Sequence, residues 1–250
     1  MIAEYALSCL KGKGRELYED NYYFFDNISE DGRDKKLSTV TDKAALIAVF
    51  DGVGGMPHGE LASEIAAETL KSEIKASFPE NCGDLLRISE KINKRLCSVM
   101  RDNNIKFGTT ATLLLLGEDR YSICNIGDSP AFLLRQGEFS QLSADHTEQK
   151  NIECVVQNAH IKSKKTQLTQ YLGIDEREMI LEPFAADGEL QKGDRFLICT
   201  DGVTNAVPHE LIKEITNGGT VGSIVGKLSN AAIDNGGLDN ITVMCAIIRG

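Results

Sequence analysis

Acidic residues recur at the ends of short apolar runs, mostly beside glycine. Asp51 follows the run ending at Phe50 and opens Asp51-Gly52-Val53-Gly54-Gly55. Asp128 sits in Gly127-Asp128-Ser129, just past Tyr121–Ile126. Asp201 sits in Thr200-Asp201-Gly202, just past Phe196–Cys199. Asp239 precedes Ile241–Ile248, in Leu238-Asp239-Asn240, and Glu19 and Asp20 precede Tyr22–Phe25. A strand end is rigid, and a glycine next to it lets the backbone turn sharply or approach a ligand closely. Acids along one rim of a sheet converge on one spot, where like charges demand either a cation or raised pKa values. Carboxylates, water and backbone carbonyls suit Mg²⁺ or Mn²⁺ and not zinc. Two such ions about 3.5–4 Å apart point to phosphoester hydrolysis: each lowers the pKa of a bound water, and a bridging hydroxide attacks phosphorus in line. No protein nucleophile is then needed. Taken singly, Asp-Gly and Asp-Asn are ordinary turn dipeptides; the recurrence carries the reading. No G-x-S-x-G elbow, G-x-x-x-x-G-K-[ST] loop or H-E-x-x-H helix competes with it.

These acids need a framework. Residues 44–50, 112–116, 121–126, 131–135, 196–199 and 241–248 read as strands, short and bounded by Gly, Asp or Asn, with 22–25 a further candidate. Apolar residues at near-helical spacing predict a helix over 61–78. A second spans 84–100, with Asp84 as its N-cap. Pro208 suits the first turn of a short helix through Ile215, and Ser223 caps a helix carrying Ile224, Leu228, Ala231 and Ala232. The two long helices are adjacent, so strict βαβ alternation is missing. An α+β layered domain with antiparallel sheets is expected instead of a doubly wound one. Residues 27–43 read as a long hairpin connection and 145–167 as a flap with weak periodicity.

The chain has 250 residues, with 27 basic and 37 acidic side chains and a formal charge of −10. That balance disfavours non-specific binding to nucleic acid or to an anionic membrane. The cysteine count of seven is odd and no two stand in C-x-x-C spacing, which points to a reducing compartment and away from a zinc site. Cys97, Cys124, Cys199 and Cys245 lie among apolar residues, as small hydrophobes do. No signal-peptide core and no span-length apolar run is present, so a cytoplasmic location is expected. No linker-like cluster or repeat divides the chain, and 1–250 reads as one domain.

At this point seven segments fall into the order of a known family. Arg15-Glu16-Leu17-Tyr18-Glu19-Asp20-Asn21, Val49–Gly55, Phe107-Gly108-Thr109-Thr110-Ala111, Asn125–Ser129, Leu142–Thr147, Thr200–Asn205 and Asp239–Val243 resemble the successive motifs of the metal-dependent Ser/Thr protein phosphatases, the protein phosphatase 2C or PPM family, in its small bacterial form. The resemblance runs nearly end to end. It implies a four-layer α-β-β-α sandwich with two central antiparallel sheets. It implies an enzyme that hydrolyses phosphoserine and phosphothreonine in proteins with two Mn²⁺ or Mg²⁺ ions and a third, weaker one. By analogy Asp51 bridges both metals, the Gly52 carbonyl binds the second, and Asp201 and Asp239 hold the first. Glu19 and Asp20 orient metal-bound water, and Asp128 with Asp201 serves the third ion. Arg15 clamps the substrate phosphate, so Arg15, Asp20 and Asp51 form the implied catalytic set. The partners implied are phosphorylated proteins, substrates of a bacterial Ser/Thr kinase, with no nucleic acid or membrane and a monomeric chain. The alternative is a non-catalytic phosphatase-fold module that binds phosphoproteins; it is expected to lose metal-binding acids, and Asp51, Asp201 and Asp239 are all present.

The chain departs from the family pattern at several positions. Tyr18 stands where Asn is usual, Pro130 where Arg usually follows Gly-Asp-Ser, and Asn205 where some relatives have Asp. Val53 stands where some relatives carry a His proposed as general acid. Val cannot donate a proton, so the leaving group must take one from water or another group. The segment after His146 is short. His146 reads as a support for its loop, His58 as a surface residue at a helix start, and His160 and His209 as exposed. Asp194 reads as a turn acid before a strand, and Lys162, Lys164 and Lys165 as a solvated basic cluster.

Overall fold

The computed structural model describes residues 1–29, 34–148 and 167–250. In chain order the elements are β1 (Ala3–Leu10), β2 (Asp20–Phe24), β3 (Lys35–Thr41), β4 (Ala45–Asp51), α1 (Gly59–Ala76), α2 (Cys82–Asn103), β5 (Ala111–Leu116), β6 (Arg120–Ile126), β7 (Ala131–Arg135), β8 (Glu138–Gln141), β9 (Thr147–Glu148), β10 (Gln167–Leu168), β11 (Phe184–Glu189), β12 (Arg195–Cys199), α3 (Asp201–Thr204), α4 (His209–Asn217), α5 (Val221–Asp234) and β13 (Ile241–Ile248). One sheet has six strands in the order β3-β1-β13-β12-β7-β8, and the other has five in the order β11-β6-β5-β4-β2. Every pairing in both is antiparallel. β9 and β10 form a separate two-stranded ribbon.

Three apolar layers explain the stacking. Leu46, Ala48 and Phe50 of β4 face α1 and α2 together with Leu113 and Leu115 of β5. The alternate residues Ala45, Ile47 and Val49 face the other sheet and meet Tyr5, Leu7, Phe196, Ile198 and Met244. Leu197, Cys199, Val243 and Cys245 turn away from that interface onto Ile212, Ile224 and Leu228 of α4 and α5. The molecule is therefore a four-layer α-β-β-α sandwich. Successive strand residues point to opposite faces, so a strand covered on both sides must be apolar throughout. This is why the central strands read as continuous apolar runs. Each large side chain so buried contributes roughly 1.5–3 kcal/mol.

Several boundaries differ from expectation for local reasons. Asn81, not Asp84, caps α2: its side chain accepts from the Asp84 amide at 3.2 Å, and Asp84 lies inside the first turn. Thr220, not Ser223, caps α5, its hydroxyl accepting from the Ser223 amide at 3.3 Å. Pro208 precedes α4 at its cap position and does not lie in its first turn. α1 starts two residues earlier than its apolar spacing implies and ends before Phe78, which is exposed. The 27–43 connection contains β3, an edge strand paired with β1. β1, β8 and β11 escaped the sequence reading; Ser8 interrupts β1 but is buried against the Ser229 hydroxyl at 2.8 Å. Asp194 is a turn acid, yet it is buried and paired with Arg135 at 2.6 Å. Cys97, Cys124, Cys199 and Cys245 are buried free thiols, as expected. Cys154, His160, Lys162, Lys164, Lys165 and most of the 145–167 flap lie outside the described residues.

Candidate active site

The acids gather where strand ends of both sheets meet. Asp20 opens β2 and pairs in register with Asp51 at the end of β4. Asp201 begins α3 immediately after β12, and Asp239 stands two residues before β13, the strand paired with β12. Asp128 follows β6. Gly202 is what lets Asp201 approach Asp239: a Cβ there would stand 1.9 Å from the Asn240 carbonyl oxygen. Any side chain at 202 would push α3 off the start of β13.

Asp20 is buried, with Thr200 Oγ1 and Thr242 Oγ1 donating to its Oδ2 at 2.8 and 2.7 Å. Its Oδ1 has no hydrogen-bond partner. Desolvation pushes its pKa up to about 7, against the two threonine bonds, with Asp239 and Asp201 adding to the rise. Asp51 is raised well above the usual carboxylate range by desolvation and then by Asp20, Asp201, Asp239 and Asp128. Desolvation, with Asp201 next, raises Asp128 to about 7. Asp201 is raised by desolvation and Asp239, opposed by hydrogen bonds to Asp51 and Asn205. Each of the four is raised first by desolvation and further by other acids of the set, so these carboxylates lie within electrostatic reach of one another.

The supporting residues are polar and mostly buried. The Asp51 backbone is fixed by Thr110: its hydroxyl accepts from the Asp51 amide at 3.1 Å, and its amide donates to the Asp51 carbonyl at 2.7 Å. The Gly52 amide donates to the Glu19 carbonyl at 3.0 Å, holding the end of β4 beside the 15–19 loop. Asn240 ties that loop to the Asp239 turn. Its Nδ2 donates to the Lys11 and Leu17 carbonyls at 2.8 and 3.0 Å, and its Oδ1 accepts from the Glu19 amide at 2.7 Å. Thr200, Thr242, Thr110 and Asn240 were not singled out from sequence, although each lies inside a quoted motif. Their partners are up to 229 residues away, so spacing alone carries no signal of them.

Arg15 lies across the mouth of this cluster. Its Nη1 donates to Glu19 at 2.8 Å and its Nη2 to Asp239 at 2.8 Å. Glu19 is thus engaged by a guanidinium and raised by its desolvation. The family departures have local partners too. Asn205 donates to the Asp201 carboxylate at 2.9 Å, a bond an ionised Asp there could not make. Tyr18 directs its hydroxyl to Asp34. His58 is the exposed residue ahead of α1, and His209 is exposed.

The donor set is all oxygen, which fits a hard divalent cation. The unpartnered Asp20 Oδ1 and the mutually raised carboxylates fit the same chemistry, since buried polar atoms and clustered charges both require a counterpart. The acids are gathered without forming a closed shell: among the described residues, no three His, Cys, Asp or Glu side chains are placed to hold an ion as they stand. Among those residues, also, no helix is long and apolar enough to cross a membrane.

Comparison with known proteins bears on this geometry. A family model described as protein phosphatase 2C matches residues 29–217. The serine/threonine protein phosphatase PstP of Mycobacterium tuberculosis is 30% identical over 213 residues, covering 81% of this chain and 40% of that protein. The chain thus spans well under half the length of that relative. The serine/threonine phosphatase stp of Listeria innocua is 28% identical over 251 residues, covering 94% of this chain and 91% of that protein. The crystal structure of the catalytic domain of PstP in complex with two manganese ions superposes with a TM-score of 0.77 at 25% identity, covering 100% of both chains.

Proposed function

The chain belongs to the protein phosphatase 2C family, and on that premise we propose that it is a protein-serine/threonine phosphatase that uses divalent cations to hydrolyse phosphoserine and phosphothreonine. The observation that carries this reading is the convergence of Asp20, Asp51, Asp201 and Asp239 at one rim, with Asp20 Oδ1 left unpartnered and Arg15 alongside. Asp51, the Gly52 carbonyl, Asp201 and Asp239 would hold two Mn²⁺ or Mg²⁺ ions, with Glu19 and Asp20 orienting water. Asp128 and Asp201 would serve a weaker third. The manganese pair in the PstP catalytic domain supports this choice of ion. Bound there, such a pair supplies water deprotonated near neutral pH and neutralises charge on the phosphoryl oxygens.

The protein's own groups do the rest. Arg15 presents a planar fork that would match two phosphoryl oxygens, and its bonds to Glu19 and Asp239 hold that fork beside the acids. Thr200 and Thr242 hold Asp20 in one orientation. Val53 offers no proton, so the departing serine or threonine oxygen would take one from water or from another group at the site. The non-catalytic alternative predicts loss of acids that are all present. The substrates would be phosphorylated proteins, the products of a Ser/Thr kinase.

The test is hydrolysis of p-nitrophenyl phosphate with and without Mn²⁺, beside Asp201→Asn. Turnover that needs Mn²⁺ and disappears in the variant supports the reading. No turnover by folded protein that has demonstrably bound Mn²⁺ overturns it in favour of a phosphoprotein-binding module.

A further inference from the structure

His146 belongs to no part of the acid cluster, yet it bonds both to the Gly127 turn and to the residue that follows β10. Its amide donates to the Gly127 carbonyl at 3.0 Å, and its Nδ1 accepts from the Gly127 amide at 3.1 Å. Its own carbonyl accepts from the Thr169 amide at 2.8 Å, one residue past β10. An imidazole that accepts at Nδ1 is neutral and carries its proton on Nε2.

The turn it grips is tightly constrained. Gly127 has φ +103, and a Cβ there would stand 2.6 Å from Thr110 Cγ2. Thr110 reaches the same turn from its other side, its hydroxyl 2.7 Å from the Ser129 hydroxyl, while also holding Asp51. The Asp128 backbone is thus pinned between Thr110, which serves Asp51, and His146, which serves the β9–β10 stem.

We propose that His146 is a positioning residue: its ring and backbone lock the Gly127–Asp128 turn to the β9–β10 stem and so set where the Asp128 carboxylate points. The role of Asp128 rests on the phosphatase reading above; the hydrogen bonds to Gly127 do not. An outer residue that orients a ligand typically governs metal affinity by 10–100-fold. His146 therefore controls the weakest cation site and leaves the tighter pair alone.

Two measurements on the full chain test this. The first is Mn²⁺ binding by calorimetry. His146→Ala is expected to weaken the weakest class of Mn²⁺ site about tenfold, with the tight class unchanged. Asp128→Ala should abolish that class, and adding His146→Ala to it should change nothing more. The second needs no metal: hydrogen exchange of the Gly127 and Asp128 amides in EDTA, expected to be at least about tenfold faster in His146→Ala. His146→Asn, whose amide oxygen can accept from Gly127, should recover most of both effects. His146→Phe keeps the bulk of the ring and removes the acceptor, so it tests the same bond should the alanine variant unfold. Unchanged exchange, or loss confined to the tight Mn²⁺ class, overturns the proposal. If the wild-type chain binds no Mn²⁺, the phosphatase reading fails and the exchange measurement still decides the positioning role.

Discussion

Arg15 Nη2 meets Asp239 Oδ2 at 2.8 Å, although 224 positions separate them in the chain. The same guanidinium holds Glu19, so one cation spans two of the acids proposed for the metal centre. Both side chains of the Arg15–Asp239 pair are about one-third exposed, and solvent screens the pair. The contact therefore contributes little to stability, and its importance lies in where it places the fork.

Replacing Arg15 with Ala should accordingly leave the fold intact and damage the chemistry. The unfolding free energy is expected to change by less than about 1 kcal/mol. At saturating Mn²⁺, kcat/KM for p-nitrophenyl phosphate should fall about 10²-fold, the equivalent of losing roughly two charge-assisted hydrogen bonds. Arg15→Lys should recover only part, since an ammonium cannot bridge two oxygens as a fork. Steady-state kinetics beside urea unfolding checks both halves. A large stability loss with unchanged kcat/KM would contradict the assignment.

The raised carboxylates give metal-free protein a definite pH dependence. The folded pKa of Asp20 is about 7, against an ordinary value of 3.8. Near the lower value and below it, both folded and unfolded chains hold the proton, and there is no penalty. As pH rises the unfolded chain releases it first, so the native state loses relative stability through the interval, and the full penalty is present above about 7. In EDTA, the melting temperature should fall between pH 5 and pH 8 by several degrees, on the order of the shift expected per kcal/mol. Asp20→Asn should melt higher than wild type in EDTA at pH 8, and its fall should be shallower. Thermal scans at both pH values check this; a wild-type melting point that rises over that range would contradict it.

Thr200 and Thr242 both donate to Asp20 Oδ2 and both are fully buried. Thr200→Val or Thr242→Val preserves shape but leaves a buried carboxylate short of a donor. Each should destabilise by about 1–3 kcal/mol and raise the Asp20 pKa further. Because they share one acceptor, the double variant should depart from additivity by roughly 0.5–3 kcal/mol. Urea unfolding of the double-mutant cycle measures this, and strict additivity would mean the two hydroxyls act independently.

Gly202→Ala should be the most damaging of the small substitutions. Its methyl group would stand 1.9 Å from the Asn240 carbonyl oxygen, part of the backbone that leads into β13. Relief requires moving α3, and with it Asp201. The expected loss is about 1–3 kcal/mol of stability or more, accompanied by weaker Mn²⁺ binding at the site that Asp201 and Asp239 share. Calorimetry and urea unfolding read the two effects separately. Wild-type values for both would show that α3 can shift freely.

Legibility in the sequence followed burial. β4, β5, β12 and β13 are covered on both faces and therefore consist almost wholly of apolar residues, so Ala45–Phe50 and Ile241–Ile248 announce themselves. β3 lies at a sheet edge with every second residue exposed, and Lys35-Lys36-Leu37-Ser38 looks like a loop. β11 carries Asp187 and Gly188 in its interior. Both helix caps slipped by three residues because Asp84 and Ser223 are as suitable by type as Asn81 and Thr220. Only the hydrogen bonds distinguish them.

The acids themselves were readable because each is attached locally to a strand end, and a strand end is a feature of a few consecutive residues. That determined the residue types, the oxygen-only donor set and the expectation of a divalent cation. What tertiary structure alone decided is which groups confront one another across the two sheets. Asp20 meets Thr200 and Thr242, Arg15 chooses Glu19 and Asp239, Asn240 stitches the 15–19 loop in place, and His146 reaches back to Gly127. Hydrogen bonds act over about 3 Å whatever the separation along the chain. A partner 180 or 222 residues away therefore leaves no trace in local spacing until packing brings it into reach.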